Sequence, residues 1–486
     1  MFNDSPWKQS SRRKFLESTG LGFGCMAASY LLGAADAQAA AVSNPLAAKA
    51  PPLPATAKNI IFLFMHGGPS HLETFDPKPL LNELEGNPVP ESFGDVQLQF
   101  SEFRKQPILG CRRTFKKYGQ AGIEISDLFP NVAQHADDLA VVRSCYHDGF
   151  THTAALILLN NGWPRLGRPS MGSWLTYGLG SENEDLPAFV VMLEGGIKSG
   201  PEVYGSGFLP ALYQGTPFRS GPHPILNSAP PTDMGAGEQR QMFDLLRWFN
   251  ERHMDSRADE SSLAARIASY ELAYKMQVAA PELTDISKET EATRKLYGVG
   301  EEPTSDFGTR CLLARRMVER GVRFVQVWSG NTSGGGDWDG HASCDENHVK
   351  IAQKVDKPIA GLLADLKSRG LLEETLVVWS GEFGRTATSD GSLNGGGNSA
   401  GRDHNPYGYS MWMAGGGVRG GKVIGATDEI GLHATEKRVH VHDLHASMLR
   451  FMGIDHTKLT YFFEGRDYRL TDVAGTTDLY VWLRQG

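Results

Sequence analysis

Cysteine is scarce in this chain, basic charge is not in excess, and no apolar run is long. There are five cysteines in 486 residues. Cys111, Cys145, Cys311 and Cys344 lie far apart and no C-x-x-C pair occurs, which excludes a zinc ribbon or a disulfide-stapled scaffold. Lysine and arginine number 48 against 56 acidic residues, a net charge of −8. With no basic footprint to displace counterions from phosphates, nucleic acid is not expected as a partner. Apolar segments stay short of the roughly 20 residues that cross a bilayer, so no stable membrane span is expected in the mature chain. What is present is enough to bury: 40% of residues are hydrophobic and only 21% charged, which excludes general disorder. The length exceeds the roughly 250–300 residues at which one core stops growing, so one large domain with insertions, or two domains, is expected. Glycine is plentiful, at 56 copies, gathered in short clusters beside polar residues that read as tight loops around a site.

Residues 1–39 read as a targeting segment. Ser11-Arg12-Arg13-Lys14-Phe15-Leu16-Glu17 precedes a weakly apolar Gly/Ala-rich run from Gly20 to Ala35, and Ala37-Gln38-Ala39 offers an A-x-A cleavage site. That order matches a twin-arginine export signal, so a periplasmic or otherwise exported protein is expected. Residues 40–57, rich in Ala and Pro, read as a flexible leader, and 58–486 as the folded domain.

Asn59 to Met65 is an uninterrupted apolar run, the mark of a strand buried on both faces. Similar runs are Leu139 to Ser144, Pro187 to Leu193, Val322 to Trp328, Thr375 to Trp379 and Tyr409 to Ala414. Helical patterns separate most of them, including Ala154 to Leu159, Arg310 to Arg320 and Val349 to Arg369, and His442-Asp443 opens another. Alternation of this kind predicts an α/β fold, a doubly wound and mostly parallel sheet with helices on both faces. Between about 195 and 302 a Gly/Pro-rich stretch and then charged helical sequence read as a helical insertion covering one end of the sheet.

In such sheets the ligand sits at the carboxyl ends of the strands. The residues there form five clusters: His66 with His71, Glu73 and Asp76; Thr151, His152 and Thr153; Asp339 and His341; Glu382 and Arg385; Asp403 and His404. Loop Asp and His also cap turns, but imidazole and carboxylate donors from separate strand ends are what a divalent-metal site requires.

Several segments resemble one bacterial group. Trp338-Asp339-Gly340-His341, the helix with Leu363-Ala364-Asp365-Leu366-Lys367, LLEETLVVWSGEFGRT from Leu371 to Thr386, Gly401-Arg402-Asp403-His404-Asn405 and Ala414-Gly415-Gly416-Gly417 are similar to domain-of-unknown-function family 1501. Thr74 to Pro79 and Gly205 to Pro210 resemble further signatures of that group, whose fold is that of the alkaline phosphatase and sulfatase superfamily. The resemblance runs from about Asn59 to the C-terminus and implies a metal-dependent hydrolase of phosphate or sulfate esters. It implies Asp339 and His341 as an acid-histidine ligand pair, His404 as a late ligand, and Glu382 at an aspartate's place. Two positions depart from the pattern: Phe383 stands where the superfamily has a ligand histidine, and His66 where it has the first aspartate. One or two ions of Zn, Mn, Ca or Mg are therefore expected, on Asp339, His341, Glu382, His404 and His66, or on a rearranged set recruiting Glu73 or Asp76.

Thr151 or a metal-activated water is the expected nucleophile; Thr151 stands at a helix start where unpaired N–H groups receive an anion, although counting back from Gly162 lands on His152. Thr151 as a plain helix cap is the competing role. His152 is expected as ligand or general base, and Arg385, with Arg402, as an oxyanion clamp or a salt bridge. No C/S-x-P-x-R motif occurs, which disfavours a formylglycine sulfatase. His440, His442 and His445 have metal-like spacing but resemble a structural turn of the superfamily. The expected substrate is a small-molecule or polysaccharide ester; the competing class is a non-catalytic binding protein on the same fold.

Overall fold

The structure, a computed structural model, describes residues 44–97, 102–221, 224, 236–255, 261–330, 337–390 and 400–485. The expected export signal, residues 1–39, lies outside them. Two compact units divide the chain: Met1–Asn44 with Pro230–Ile267, and Pro45–Ala229 with Ala268–Gly486. The sheet and the site belong to the second.

The apolar runs form a nine-stranded sheet. Its strands are β1 (Asn59–Met65), β2 (Ala140–Tyr146), β3 (Phe189–Leu193), β4 (Thr216–Arg219), β5 (Phe324–Ser329), β6 (Thr375–Ser380), β7 (Tyr409–Ala414), β8 (Lys422–Ile424) and β9 (Val439–His440), in the order β8-β2-β7-β6-β1-β5-β3-β4 with β9 also on β2. β1 lies between β5 and β6, parallel to both, and every one of its residues is buried. Side chains alternate across it. Ile61, Leu63 and Met65 join a core with Cys311 and Leu312 of one helix and Ile359 and Leu363 of another, while Phe64 stacks on Trp328 at 4.1 Å. Burying each large apolar side chain of this strand contributes about 1.5–3 kcal/mol. β7 pairs antiparallel with both β2 and β6, whereas the other pairings in this sheet are parallel. A mostly parallel α/β sheet is therefore what the chain adopts.

Among the described residues the longer helices are α1 (His152–Asn161), α2 (Met171–Leu179), α3 (Ala236–Asp255), α4 (Ser261–Thr284), α5 (Ser305–Val318), α6 (Cys344–Ser368) and α7 (Val441–Phe451). α5 and α6 cover one face of the sheet with the residues just named. On the other face Gln326 of β5 donates from Nε2 to Asn160 Oδ1 of α1 at 2.7 Å. Among the described residues no helix is long and apolar enough to cross a membrane. Four free cysteines, Cys111, Cys145, Cys311 and Cys344, are all buried.

Two stretches differ from their sequence reading. The Ala/Pro-rich segment is pinned where it is described: Lys49 N–H donates to Leu179 O, Leu53 N–H to Gly453 O and Thr56 N–H to Phe451 O, each at 2.9 Å. Proline-rich chain has little backbone freedom to lose, so a few such bonds suffice to hold it. Part of the expected insertion is a strand of the sheet itself, because its Thr216–Arg219 segment pairs parallel with β3. Pro217 is compatible with that place, since an edge strand leaves one row of N–H groups unused.

Candidate metal centre

Chain segments converge at the carboxyl edge of the sheet. His66 follows β1, His152 opens α1 after β2, Lys198 comes soon after β3, Asp337, Asp339 and His341 come after β5, and Glu382 and Arg385 follow β6. His404 precedes β7, and because β7 is reversed its start lies at this same edge. Main-chain bonds knit the loops together: Trp338 N–H donates to His66 O at 2.8 Å, Arg402 N–H to Gly340 O at 2.9 Å and Thr386 N–H to Asp403 O at 2.9 Å. Gly67 allows the first contact. At φ +108 it occupies backbone space that other residues avoid, and a Cβ there would lie 2.5 Å from the Asp339 nitrogen.

One ligand atom each from His152, Asp339, His341 and His404 lies within 4.8 Å of the others. His341 Nε2 is 2.9 Å from His404 Nε2, and Asp339 Oδ1 is 3.2 Å from the first and 3.6 Å from the second. The outer nitrogens decide what these atoms can do. His341 Nδ1 is 2.6 Å from Asp390 Oδ2, and His404 Nδ1 is 2.8 Å from the carbonyl oxygen of Phe150. A carbonyl, and a carboxylate in its ionised form, can only accept, so each neutral imidazole carries its hydrogen on Nδ1 and presents a lone pair at Nε2. Two lone pairs and a carboxylate oxygen thus face one point. Such a set repels itself unless a cation is shared, and two imidazoles with one carboxylate, each oriented from behind, fit a divalent transition-metal or zinc ion.

The charges around this point are balanced closely. Burial would raise the Asp339 carboxyl, but the Arg385 guanidinium, with Nη2 at 2.8 Å, and the bond from His152 hold it well below the usual carboxylate range. Burial likewise works against ionised Glu382, yet its bond to His152 brings it down to about 2. Both oxygens of Glu382 also accept from Gly67 N–H, at 2.9 and 3.1 Å. Against burial, the bonds to Asp339 and Glu382 raise the pKa of His152. Burial lowers His404 to about 3 and pushes His66 down as well.

The residues singled out from the sequence therefore fall into separate places. Asp339, His341, His404 and His152 come together. Glu382 stands behind His152, its Oε1 2.7 Å from Nδ1, instead of joining them. His66 is fully buried, with Nδ1 4.0 Å from Asp337 Oδ2. Thr151 is the N-cap of α1 and its side chain makes no cap hydrogen bond. Arg385 and Arg402 are engaged by the protein itself. Arg385 donates to Gly68 O at 2.9 Å, to Arg402 O at 3.1 Å, to Gly67 O and to Asp339, and is fully buried. Arg402 pairs with Glu73 at 2.8 Å and donates to four carbonyls. Neither points a free fork at an oxyanion; Arg385 is a positioning residue. Glu73 and Asp76 lie outside the group, Asp76 being bonded to Thr427 and Lys78, and His71 Nε2 is 2.8 Å from Gly431 O. His442 and His445 sit 2.9 and 2.7 Å from carbonyls at the end of α1, a structural role. Phe383 stacks on His404 at 4.2 Å. Sequence reading passed over Lys198, Asp337 and Asp390. Lys198 was findable by its place after a strand, but a search for histidines and carboxylates overlooks an ammonium group.

The family model described as "Protein of unknown function (DUF1501)" matches residues 57–478. The chain belongs to that family. Solved structures similar to it include the PsFucS1 sulfatase from Pseudoalteromonas sp., at 14% identity over 86% of this chain and 72% of that one, TM-score 0.35. Another is the lipoteichoic acid synthase LtaP from Listeria monocytogenes, at 9% identity over 84% and 76%, TM-score 0.34. A third is the alkaline phosphatase from the Antarctic bacterium TAB5, at 11% identity over 74% and 92%, TM-score 0.31. No curated protein matches the chain.

Proposed function

We propose that this protein is an exported, metal-dependent hydrolase of phosphate or sulfate esters. The observation that carries the reading is the meeting of His341 Nε2, His404 Nε2 and Asp339 Oδ1, each imidazole turned lone pair inward by an acceptor behind it. These three residues would hold the ion, with His152 beside them. Imidazole donors favour Zn²⁺ over Mn²⁺, Ca²⁺ and Mg²⁺, which prefer oxygen ligands. A divalent ion there would supply Lewis acidity to an anionic ester.

The chain's own groups suit the remaining tasks. His152 has Nδ1 held by Glu382, so Nε2, 3.1 Å from both Asp339 Oδ2 and Lys198 Nζ, is the atom that faces the centre, and its raised pKa makes it a competent proton acceptor. Thr151, next to it at the α1 N-terminus, offers a hydroxyl not used in capping, beside main-chain N–H groups that stabilise an oxyanion. Arg385 keeps Asp339 ionised and in place. Small-molecule and polysaccharide esters are the substrate class to test, and export rests on the Arg12-Arg13 segment and the A-x-A site that follows it.

A second reading, a binding protein without turnover, is favoured by one feature: Phe383 fills the place of a superfamily ligand and packs on His404. Metal analysis of protein purified without chelators, followed by assays on aryl phosphate and aryl sulfate, separates the two. The hydrolase reading expects bound metal that His404→Ala and Asp339→Ala lose, and turnover of one ester class. Metal without turnover on either class selects the binding protein, and a metal-free, folded wild type rejects both forms of the centre. For export, a variant with both Arg12 and Arg13 changed to Lys is expected to stay in the cytoplasmic fraction; a normal distribution would rule out the twin-arginine route.

A further inference from the structure

Asp339 has two faces. Its Oδ1 looks at His341 and His404 and accepts from Arg385 Nη2 at 2.8 Å, while Oδ2 receives Lys198 Nζ at 2.5 Å and lies 3.1 Å from His152 Nε2. The same ammonium reaches Asp337 Oδ2 at 3.2 Å and His152 Nε2 at 3.1 Å. A carboxylate that offers one oxygen to each of two cations is the bridge of a two-ion centre, where the ions stand about 3.5–4 Å apart. Here one of the two cation places, on the Oδ2 side, is filled by a lysine.

Charge points the same way. Asp337, Asp339 and Glu382 bring three carboxylates, against the guanidinium of Arg385 and the ammonium of Lys198. With Asp390 behind His341 counted as a fourth carboxylate, one divalent ion takes the group from two negative charges to neutral, so an anionic ester meets no net repulsion. A second divalent ion would add two more positive charges beside Lys198 and Arg385, at a distance where like charges repel strongly. The side chain of Lys198 is 23% exposed, so the residue borders solvent while its ammonium is anchored.

We infer that Lys198 is the built-in second cation of the centre: the site takes one divalent ion, on the His341 and His404 side of Asp339, and the Lys198 ammonium occupies the other side and receives the anionic group of the ester. This rests on the metal-centre reading above and adds the number of ions and the identity of the second positive charge. A plain salt bridge between Lys198 and Asp337 would leave ion number untouched by its removal.

The test is equilibrium dialysis of the whole chain against Zn²⁺, with metal counted by mass spectrometry and folding followed by circular dichroism. Wild type and Lys198→Arg are expected to hold one ion per chain. Lys198→Ala, with Asp337, Asp339 Oδ2 and His152 left without their cation, is expected to hold two. Should Lys198→Ala not fold, Lys198→Gln, neutral and of similar length, is expected to give the same count of two. Two ions in wild type, or one ion in the folded neutral variants, would overturn the inference while leaving the metal centre standing. No ion in wild type would instead remove the reading beneath it.

Discussion

His341 and His404 are fitted to serve as ligands by what stands behind them. Asp390 accepts from His341 Nδ1 and the Phe150 carbonyl from His404 Nδ1, and each thereby leaves Nε2 as the donor atom. An amide at position 390 could instead donate to Nδ1 and move the hydrogen to Nε2, where it would block coordination. Asp390→Asn is therefore expected to weaken metal binding by about 10–100-fold with the fold intact, the usual effect of losing an outer partner. Calorimetric titration with Zn²⁺ checks this, and an unchanged affinity would reject the tautomer argument. At this scale the sequence was partly legible. Asp339, His341 and His404 stand out by residue type and by family motif, but Arg385 and Arg402 looked alike as clamps for an oxyanion. Only the surrounding carbonyls distinguish a buried positioning arginine from a substrate-binding one, and those carbonyls come from distant segments.

α1 carries His152 at its first position and Thr151 just before it, so its two ends locate the chemistry. Its far end stops at Gly162, whose φ of +69 lies in the left-handed region and whose Cβ, if present, would lie 2.0 Å from Leu470 O. Gly162→Ala combines that clash with about 1–3 kcal/mol of backbone strain. It is expected to lower the urea midpoint clearly, and a midpoint equal to wild type would show that α1 does not end as described. Strands buried on both faces were readable because no alternation is needed when both sides are apolar: β1 spans Asn59–Met65 as expected, and β6 and β7 lie within a residue of their runs. The short strands β4, β8 and β9 were not, since segments of two to four residues carry too little pattern and form because a neighbour offers an edge. The reversal of β7 was also hidden. It puts His404 before its strand at the same edge where other candidates come after theirs.

At the scale of the whole molecule, buried neutral histidines make stability depend on pH. Burial lowers His348 to about 4 and His445 to about 3. Unfolded, such a group titrates near 6.5, so below that pH the unfolded chain binds more protons than the folded one. The stability they confer is complete above about pH 6.5 and is lost as the pH falls toward about 4 for His348 and about 3 for His445, at ~1.4 kcal/mol per pH unit for each histidine. Chemical denaturation at pH 7 and pH 5 should show this decline, and His445→Gln should flatten it; an unaltered slope in that variant would show that His445 does not stay neutral. The proposed metal would add a second dependence. A free ion at 100 times its dissociation constant stabilises by about 2.7 kcal/mol, so a chelator is expected to lower the melting temperature of wild type and not of His404→Ala. The sequence alone determined the α/β class, the long central strands and the identity of the donors, because periodicity and residue type are local properties of the chain. The tertiary structure alone decided which donors meet, which nitrogen of each imidazole faces inward, that Glu382 stands behind His152, and that Lys198 lies against Asp339. Those are relations between segments up to hundreds of residues apart, fixed by the packing of a twisted sheet that no local pattern records.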